Sequence, residues 1–262
     1  MILAFDVGNT NITIGCIDYN KKIHFISHLS TDANKSEDEY AIEFKNILDL
    51  YQIDINKLNG SIISSVVPPL ITIHKNAIEK ITGRKPFIVD SKTSFGFNID
   101  IDKDNELGAD LIVGAVAALD EYEKPLIIFD IGTATTVSVI DSSNTFIGGL
   151  IFPGIKISLE ALSNKTSKLP HIDLTKPNKI IGKNSTDSMN SGIINGNASM
   201  IDGLIDRINN ELKEPATVIV TGGLSDIIVP HCKKRVLHDN NLLIKGLLLI
   251  YKQLENKSKN NN

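Results

Sequence analysis

The sequence predicts an α/β protein that contains two similar domains, each with a mixed sheet and flanking helices. The main observation is a stretch of fourteen residues that occurs twice, at 2–15 and again at 126–139. In both copies an apolar strand ends in Phe-Asp-x-Gly, and short polar residues lead into a second β-rich run, which is the pattern of a hairpin. A repeat with this separation indicates two facing domains and not a solenoid of short units.

A third strand extends the repeat. Phe25 to Leu29 is echoed by Phe146 to Leu150, at a shift of 121 residues instead of 124. We therefore expect the turn before this strand to be three residues shorter in the second copy.

In the first half, three strands are predicted at 2–6, 11–18 and 23–30. Ser36 and Glu39 form a capping box at the start of a helix that ends near Tyr51. A buried strand at 61–67, a helix at 70–82 that Gly83 ends, and a short strand at 87–89 follow. This order of elements is that of the ribonuclease-H-like half of an actin-like ATPase fold, so we expect a mixed five-stranded sheet in each half.

The first half ends with the segment 91–107, which reads as irregular, and with 108–121, a helix rich in small residues. In the second half, the repeated strands are followed by a different set of helices. Further helices are expected at 155–163, 187–212 and 242–254, with an apolar strand at 217–221. The N-terminal domain is therefore predicted to comprise 1–121 and the C-terminal domain 122–255, before a frayed tail at 256–262.

Composition limits the classes of function. The 262 residues are 42% hydrophobic and 22% charged, with a net charge of −4, so a nucleic-acid partner is not expected. No apolar run approaches the roughly 20 residues of a membrane span. The N-terminus lacks a signal-peptide pattern, and the two cysteines lack metal-binding spacing, so a cytoplasmic protein without a membrane partner is expected.

The first repeated turn could bind phosphate. Gly8 would let the backbone approach an oxyanion, and the short polar side chains that follow it would supply donors. Asp6 at the strand end could hold Mg²⁺ through water. The alternative is a purely structural hairpin, in which Asp and Asn serve only the turn.

Gly108-Ala109-Asp110-Leu111 opens the helix rich in small residues. Asp110 could be a general base that takes the proton of an acceptor hydroxyl in phosphoryl transfer. The alternative is an acidic residue that only favours the positive end of the helix dipole. In the second repeated turn, Asp130 could bind a cation and Thr133 a phosphate.

These motifs together resemble the type III pantothenate kinases, a branch of the actin-like, hexokinase and Hsp70 ATPase superfamily. The matching stretches run in the family's order over nearly the whole chain: 5–11, 108–110, 130–136, 149–154, 182–184, 191–192 and 221–223. The resemblance implies ATP-dependent phosphorylation of pantothenate, the first step of coenzyme A synthesis, by a homodimer with its acceptor site near the subunit interface.

The resemblance also implies a role for each matching position. Asp110 is expected to accept the proton, and Asp130 to bind a monovalent cation, K⁺ or NH₄⁺, beside the ATP and Mg²⁺ that the reaction uses. The residues expected to contact ATP are Asp6, Val7, Gly8, Asn9, Thr10, Asn11, Ile12, Thr13 and Thr133. Those expected to contact the acceptor are Gly108, Ala109, Asp110, Leu111 and Ser185.

The sequence departs from the family on the acceptor side. Leu111 stands where the family has an Arg that can pair with a carboxylate, and Ile101 to Asp104 lacks the usual Tyr and Asn-Pro. Ser185 replaces a Thr and keeps the hydroxyl. Two alternatives therefore stay open: a non-catalytic member of the Bvg-accessory-factor type, and a kinase for a less anionic acceptor. A nuclease fits poorly, because that chemistry uses clustered carboxylates.

Overall fold

The structure is a computed structural model that describes residues 1–90, 95–103 and 107–260. Its contacts divide the chain into two compact units. The first comprises the described residues of Met1–Phe97, Asp102–Asp120 and Asn241–Asn262, and the second those of Asn98–Ile101 and Glu121–Asn240. Each unit contains one mixed sheet, as predicted.

The first sheet has five strands in the order β3-β2-β1-β4-β5. They are β1 Ile2–Val7, β2 Asn11–Ile17, β3 Ile23–Ser30, β4 Gly60–Ser65 and β5 Phe87–Ile88. The second sheet has six strands, one more than the five predicted, in the order β11-β10-β7-β8-β9-β6. The additional strand, β6, lies within the segment expected to be irregular and pairs in parallel with β9. They are β6 Asn98–Ile99, β7 Leu126–Ile131, β8 Ala134–Ile140, β9 Thr145–Pro153, β10 Thr217–Thr221 and β11 Leu237–His238.

Seven α-helices flank the sheets in the part of the chain that is described. They are α1 Glu37–Leu50, α2 Pro68–Thr82, α3 Ala109–Glu121, α4 Ile155–Lys165, α5 Ser185–Leu212, α6 Ser225–Ile228 and α7 Leu242–Asn260. None of the helices among the described residues is both long and apolar enough to cross a membrane.

Local signals set the helix ends of the first unit. The side chain of Ser36 accepts a hydrogen bond from the backbone of Glu39, whose carboxylate accepts one in return, so the predicted capping box is confirmed. Pro68 and Pro69 occupy the first turn of α2, where a missing N–H is no loss. Gly83 ends α2 with φ of 69°, a left-handed conformation that favours glycine.

The first sheet is covered on both faces. One face carries Leu3, Phe5 and Val7 of β1, which pack with α1 and α2 into a hydrophobic core. The other face carries α7, because a Cβ built at Gly15 would lie 2.9 Å from Ile244 and one at Gly60 would lie 2.4 Å from the Tyr251 hydroxyl. These two glycines leave room for the helix.

The position of α7 changes the predicted domain boundary. The C-terminal domain was expected to run to 255 and to include the closing helix, whereas that helix belongs to the first unit. The helix also continues to Asn260, through most of the segment expected to fray at 256–262. Positions 261 and 262 lie outside the described residues. The boundary differs because the apolar face of α7 finds its partner in the first sheet, which no local pattern reveals.

The strand register corrects one expectation about the repeat. Asp6 corresponds to Asp130, a shift of 124 residues. Their strand partners, Thr13 and Thr136, are related by a shift of 123 residues, so the second copy is one residue shorter within the hairpin. The third strands keep that shift: Ile17 pairs with Ile23, and Ile140 pairs with Phe146. The turn before the third strand is therefore equally long in both copies, and the missing residue lies in the hairpin loop.

His74 of α2 is fully buried against Tyr40 and Phe44, with its ring centroid 4.4 Å from that of Tyr40. Neither ring nitrogen has a hydrogen-bond partner among the described residues, and burial lowers the pKa of His74 from 6.5 to about 4. The unfolded chain therefore takes up this proton first as the pH falls, so stability is lost between about pH 6.5 and pH 4.

This burial gives a pH-dependent prediction. Between pH 7 and pH 5 the wild type is expected to lose about 2 kcal/mol more of its unfolding free energy than His74→Leu, measured by urea denaturation at both pH values. Comparing the two proteins cancels the carboxylates that titrate in both. Equal losses in the two proteins would contradict the prediction.

Candidate functional site

A row of polar side chains crosses the first sheet on the face that carries α7. Asp6 of β1 pairs with Thr13 of β2 and with Ser64 of β4, and Thr13 pairs with His28 of β3. Directly paired residues share a face, so these four side chains form a line across four strands. We call them the polar row: His28, Thr13, Asp6 and Ser64. Ser64 is fully buried, and its hydroxyl has no hydrogen-bond partner among the described residues.

The loop of the first hairpin lies at the end of this row. Gly8 N donates to Asn11 O at 2.9 Å, and this hydrogen bond closes a loop of two residues, Asn9 and Thr10. Both are exposed, whereas Thr31 holds the loop from behind by donating its hydroxyl to Gly8 O at 2.7 Å. A Cβ at Gly8 would lie 3.1 Å from Asn11 O, so a side chain there would crowd the loop. The loop is thus fixed in place and open to a ligand.

The hairpin residues expected to contact ATP differ in what they can offer. Asn9, Thr10 and Asn11 are exposed, and their side chains can donate hydrogen bonds. Val7 and Ile12 are 1% and 0% exposed and point into the core with α1 and α2, so only their backbone groups could contact a ligand. A ligand at this hairpin could therefore reach the exposed side chains of residues 9–11 and the backbone of the loop.

Asp110 lies in the first turn of α3, in the same unit as the polar row. Its Oδ1 accepts a hydrogen bond from Leu111 N at 2.9 Å. Burial raises the pKa of Asp110, and this effect exceeds the lowering by backbone N–H groups at the helix start. A Cβ at Gly108 would lie 2.4 Å from Oδ1, so glycine at this position leaves room for the carboxylate. A carboxyl group with a raised pKa is suited to accept a proton near neutral pH.

The helix α3 is held on the first sheet through α7. A Cβ at Gly246 of α7 would lie 2.2 Å from Val113 O, so the two helices approach closely at this point. Because α7 covers the face with the polar row, Asp110 begins a helix on the same side of the sheet as Asp6. The structure thus brings the expected base and the expected phosphate loop to one side of the first unit.

Two glycines pack closely around the hairpin of the second unit. A Cβ at Gly222, whose φ is +99°, would lie 2.5 Å from Asp130 Oδ1, and one at Gly154 would lie 2.1 Å from Thr133 O. Gly132 N donates to Ala134 O at 3.2 Å, so the loop of this hairpin encloses a single residue, Thr133. The side chain of Thr133 is exposed. The Thr221-Gly222-Gly223 and Phe152-Pro153-Gly154 motifs therefore serve to pack turns against this hairpin.

A side-chain network holds the Gly222 turn. Ser225 Oγ lies 2.6 Å from Gly222 O, 2.7 Å from His238 Nε2 and 2.8 Å from Asn240 Oδ1. The hydroxyl has one proton for these three neighbours, and the tautomer of His238 decides whether Nε2 donates to Ser225 or accepts from it. The network was not foreseen from the sequence, because it joins positions thirteen and fifteen residues apart.

Ser185 is the first residue of α5 and lines a cavity of about 700 Å³ within the second unit. The Asn184 side chain caps the helix by accepting from Asp187 N at 2.8 Å. A Cβ at Gly182 would lie 2.4 Å from Ser188 N, so this glycine lets the loop pack on the first turn of α5. The cavity is lined by Leu162, Leu169, Gly182, Lys183, Asn184, Ser185, Ser188, Met189, Gly192 and Ile193.

Within the described ranges, no three His, Cys, Asp or Glu side chains are grouped closely enough to hold a metal ion. Mg²⁺ usually binds through one or two carboxylates together with substrate phosphates. Asp6 and Asp130 each lie near the end of a strand, in β1 and β7.

Sequence reasoning missed His28 and Ser64 of the polar row. A lone histidine and a lone serine in two separate strands carry no motif, and only the pairing of strands brings them beside Asp6 and Thr13. The available signal was the alternation within β3, which places His28 on the face opposite Phe25 and Ser27 once the register is known.

Comparison with known proteins supports a shared ancestry over nearly the whole chain. A family model described as type III pantothenate kinase matches residues 2–207. A type III pantothenate kinase from an Exiguobacterium species is 41% identical over 253 residues, which cover 97% of this chain and 99% of that protein. The type III pantothenate kinase from Bacillus cytotoxicus is 40% identical over 253 residues, with 97% and 96% covered.

Solved structures extend the comparison to the fold. The activator of 2-hydroxyisocaproyl-CoA dehydratase from Clostridium difficile, with bound ADPNP, matches with a TM-score of 0.60 at 10% identity. The match covers 100% of this chain and 97% of that one. At such low identity the likeness concerns the fold alone, and the prediction of an actin-like ATPase fold with two mixed sheets is confirmed.

Proposed function

This chain belongs to the type III pantothenate kinase family, and from that membership we propose that it transfers the γ-phosphoryl group of ATP to the primary hydroxyl of pantothenate. The reaction would be the first step of coenzyme A biosynthesis. The observation that carries the proposal is Asp110, a carboxyl group with a raised pKa on the same side of the first sheet as the phosphate-binding loop. An acidic residue that only favours the helix dipole could lie fully exposed, whereas Asp110 is half-buried.

The chain's own residues supply positioning and one proton acceptor. The exposed loop at Asn9 and Thr10, with Thr13 beside it, would hold the phosphates through backbone and hydroxyl donors. The acceptor hydroxyl attacks the γ-phosphorus as the bond from that phosphorus to the β-γ bridging oxygen breaks, and Asp110 takes the hydroxyl proton. Catalysis of this kind rests mainly on positioning and on stabilising charge.

Cations complete the proposal. Asp6 would hold Mg²⁺ through water, and Asp130 would bind a monovalent cation, K⁺ or NH₄⁺. Bound there, these ions would neutralise the negative charge that gathers on the transferring phosphoryl group. Thr133, exposed in the second hairpin loop, would contact ATP.

On the acceptor side, Gly108 and Ala109 would shape the site around Asp110. Ser185, which lines the 700 Å³ cavity, would offer a hydroxyl to the acceptor. Leu111 is partly exposed and cannot pair with a carboxylate, so a cationic group elsewhere would have to bind that end of pantothenate.

We further propose that the protein acts as a homodimer in the cytoplasm. Exposed apolar side chains in the second unit support an interface there, since such residues favour contact with a second copy. They are Ile147, Ile151, Ile157, Leu162, Ile180 and Ile181.

The experiment that tests the function is ADP release in the presence of pantothenate, with and without K⁺ or NH₄⁺. Turnover is expected to require pantothenate and ATP and to rise with the monovalent cation. Pantothenamide, in which the carboxylate is an amide, serves as the matched uncharged acceptor, and it tests the alternative that Leu111 favours. Higher kcat/KM for the amide would indicate a less anionic natural acceptor, and ATP binding without turnover would indicate a non-catalytic protein.

A further inference from the structure

His28 lies in the middle of the exposed edge strand β3, directly opposite Thr13. Its Nδ1 is 3.2 Å from Thr13 Oγ1, which is within hydrogen-bond distance. Thr13 in turn lies opposite Asp6, and it belongs to the hairpin expected to contact ATP. The imidazole therefore touches a hydroxyl of the phosphate-binding segment from the side away from Asp6.

The second unit has a corresponding row with the same Asp-Thr pair. The residue that pairs with the Thr on the next strand is different. Asp130 pairs with Thr136, and Thr136 pairs with Ile151 of β9. Ile151 is 76% exposed and offers no hydrogen bond. Histidine at this place thus distinguishes the first hairpin, which we assign to phosphate, from the second, which we assign to a cation.

The chemistry of the hydroxyl fixes the direction of the hydrogen bonds when phosphate is bound. A phosphate oxygen only accepts, so Thr13 must give its single proton to the ligand. The Thr13 oxygen is then an acceptor, and the group beside it must donate. His28 can do this from Nδ1, either as the neutral tautomer with hydrogen on Nδ1 or as the imidazolium.

We propose that His28 is a positioning residue for ATP: it donates from Nδ1 to Thr13 and so orients the Thr13 hydroxyl toward a phosphate oxygen. The inference rests on the proposed function, because it takes the first hairpin as the phosphate site. His28 acts through Thr13 and not on the reacting atoms. Its loss should therefore weaken the binding of ATP more than it slows the chemical step.

The test compares His28→Leu and His28→Asn with the wild type in steady-state kinetics and in equilibrium binding of a non-hydrolysable ATP analogue. Leucine removes the donor, and we expect KM for ATP and Kd for the analogue to rise about five- to tenfold, with kcat within about twofold. Asparagine places an amide N–H near the Nδ1 position and is expected to restore both constants to within about twofold of the wild type.

His24→Leu is the matched control. His24 lies on the same exposed strand, but its Nε2 is 3.4 Å from Asp18, away from the hairpin loop. It should leave both constants unchanged. Thermal denaturation of each variant checks that it folds.

Two results would overturn the proposal: constants for His28→Leu equal to those of the wild type, or equal losses in the leucine and asparagine variants. Failure of the proposed function is seen separately, as no pantothenate-dependent turnover by the wild type. The analogue's affinity still reports on His28 in that case, and a wild type that binds no analogue would overturn both.

Discussion

Replacing Asp110 by asparagine is expected to lower kcat by roughly 10²–10⁴-fold, the range found for removal of a general base. The amide has almost the same shape and can still accept a hydrogen bond from Leu111 N, but it cannot take the acceptor proton. KM for ATP and the affinity for a non-hydrolysable analogue should change less than about twofold, since Asp110 is not placed on the phosphate loop. Single-turnover phosphoryl transfer measures the loss directly.

Asp120→Asn is the control for this experiment. Asp120 lies on the same helix, and it forms an exposed ion pair with Lys21 at 2.6 Å. Exposed pairs contribute little to stability, so kcat and the melting temperature should stay close to those of the wild type. Wild-type turnover in Asp110→Asn would contradict the assignment of the base. Equal losses in both variants would indicate that the charge of α3 matters and not the position of one carboxylate.

Gly246→Ala is expected to destabilise the first unit by about 1–3 kcal/mol and toward the upper end of that range. The added Cβ would lie 2.2 Å from Val113 O and 2.9 Å from Val113 Cγ1. The nearest atom is backbone, so α3 and α7 must separate. Because α3 begins at the segment with Asp110, activity should fall along with stability. Thermal denaturation and kcat at 25 °C measure the two effects.

Gly114→Ala is the matched control at the same pair of helices. A Cβ there would lie 3.6 Å from Leu243 Cδ2, which is ordinary van der Waals contact. Alanine in a helix interior is favoured over glycine by roughly 0.5–1 kcal/mol, so this variant should be as stable as the wild type or more so. A melting temperature for Gly246→Ala equal to that of Gly114→Ala would contradict the close approach of the helices.

The elements that the sequence predicted well are those with local signals. The capping box at Ser36, the Pro68-Pro69 start of α2 and the glycine that ends it lie within the segments they define. The chain path of the repeated hairpins was predicted for the same reason. Asp6 and Asp110 could be chosen as candidates because each occurs in a compact motif.

What could not be predicted depends on contacts between distant segments. The packing of α7 depends on space at Gly15 and Gly60. The sequence placed Gly15 in a strand and Gly60 in the turn before one, and neither position indicated a helix above it. Isolated glycines in strands are a weak sign of a close approach, but they do not say of what. The contact of His28 with Thr13 needs the strand register, and the similar third strands suggested a register that the structure does not have.

The first hairpin loop encloses two residues and the second encloses one, a difference of a single codon between two halves of one gene. Removing one residue from a strand would have turned every later side chain to the opposite face. Because the difference lies in the loop, Thr136 lies opposite Asp130 as Thr13 lies opposite Asp6. A one-residue difference at the tip of a turn thus gives the two hairpins different loops while the pairing of Asp with Thr is the same in both.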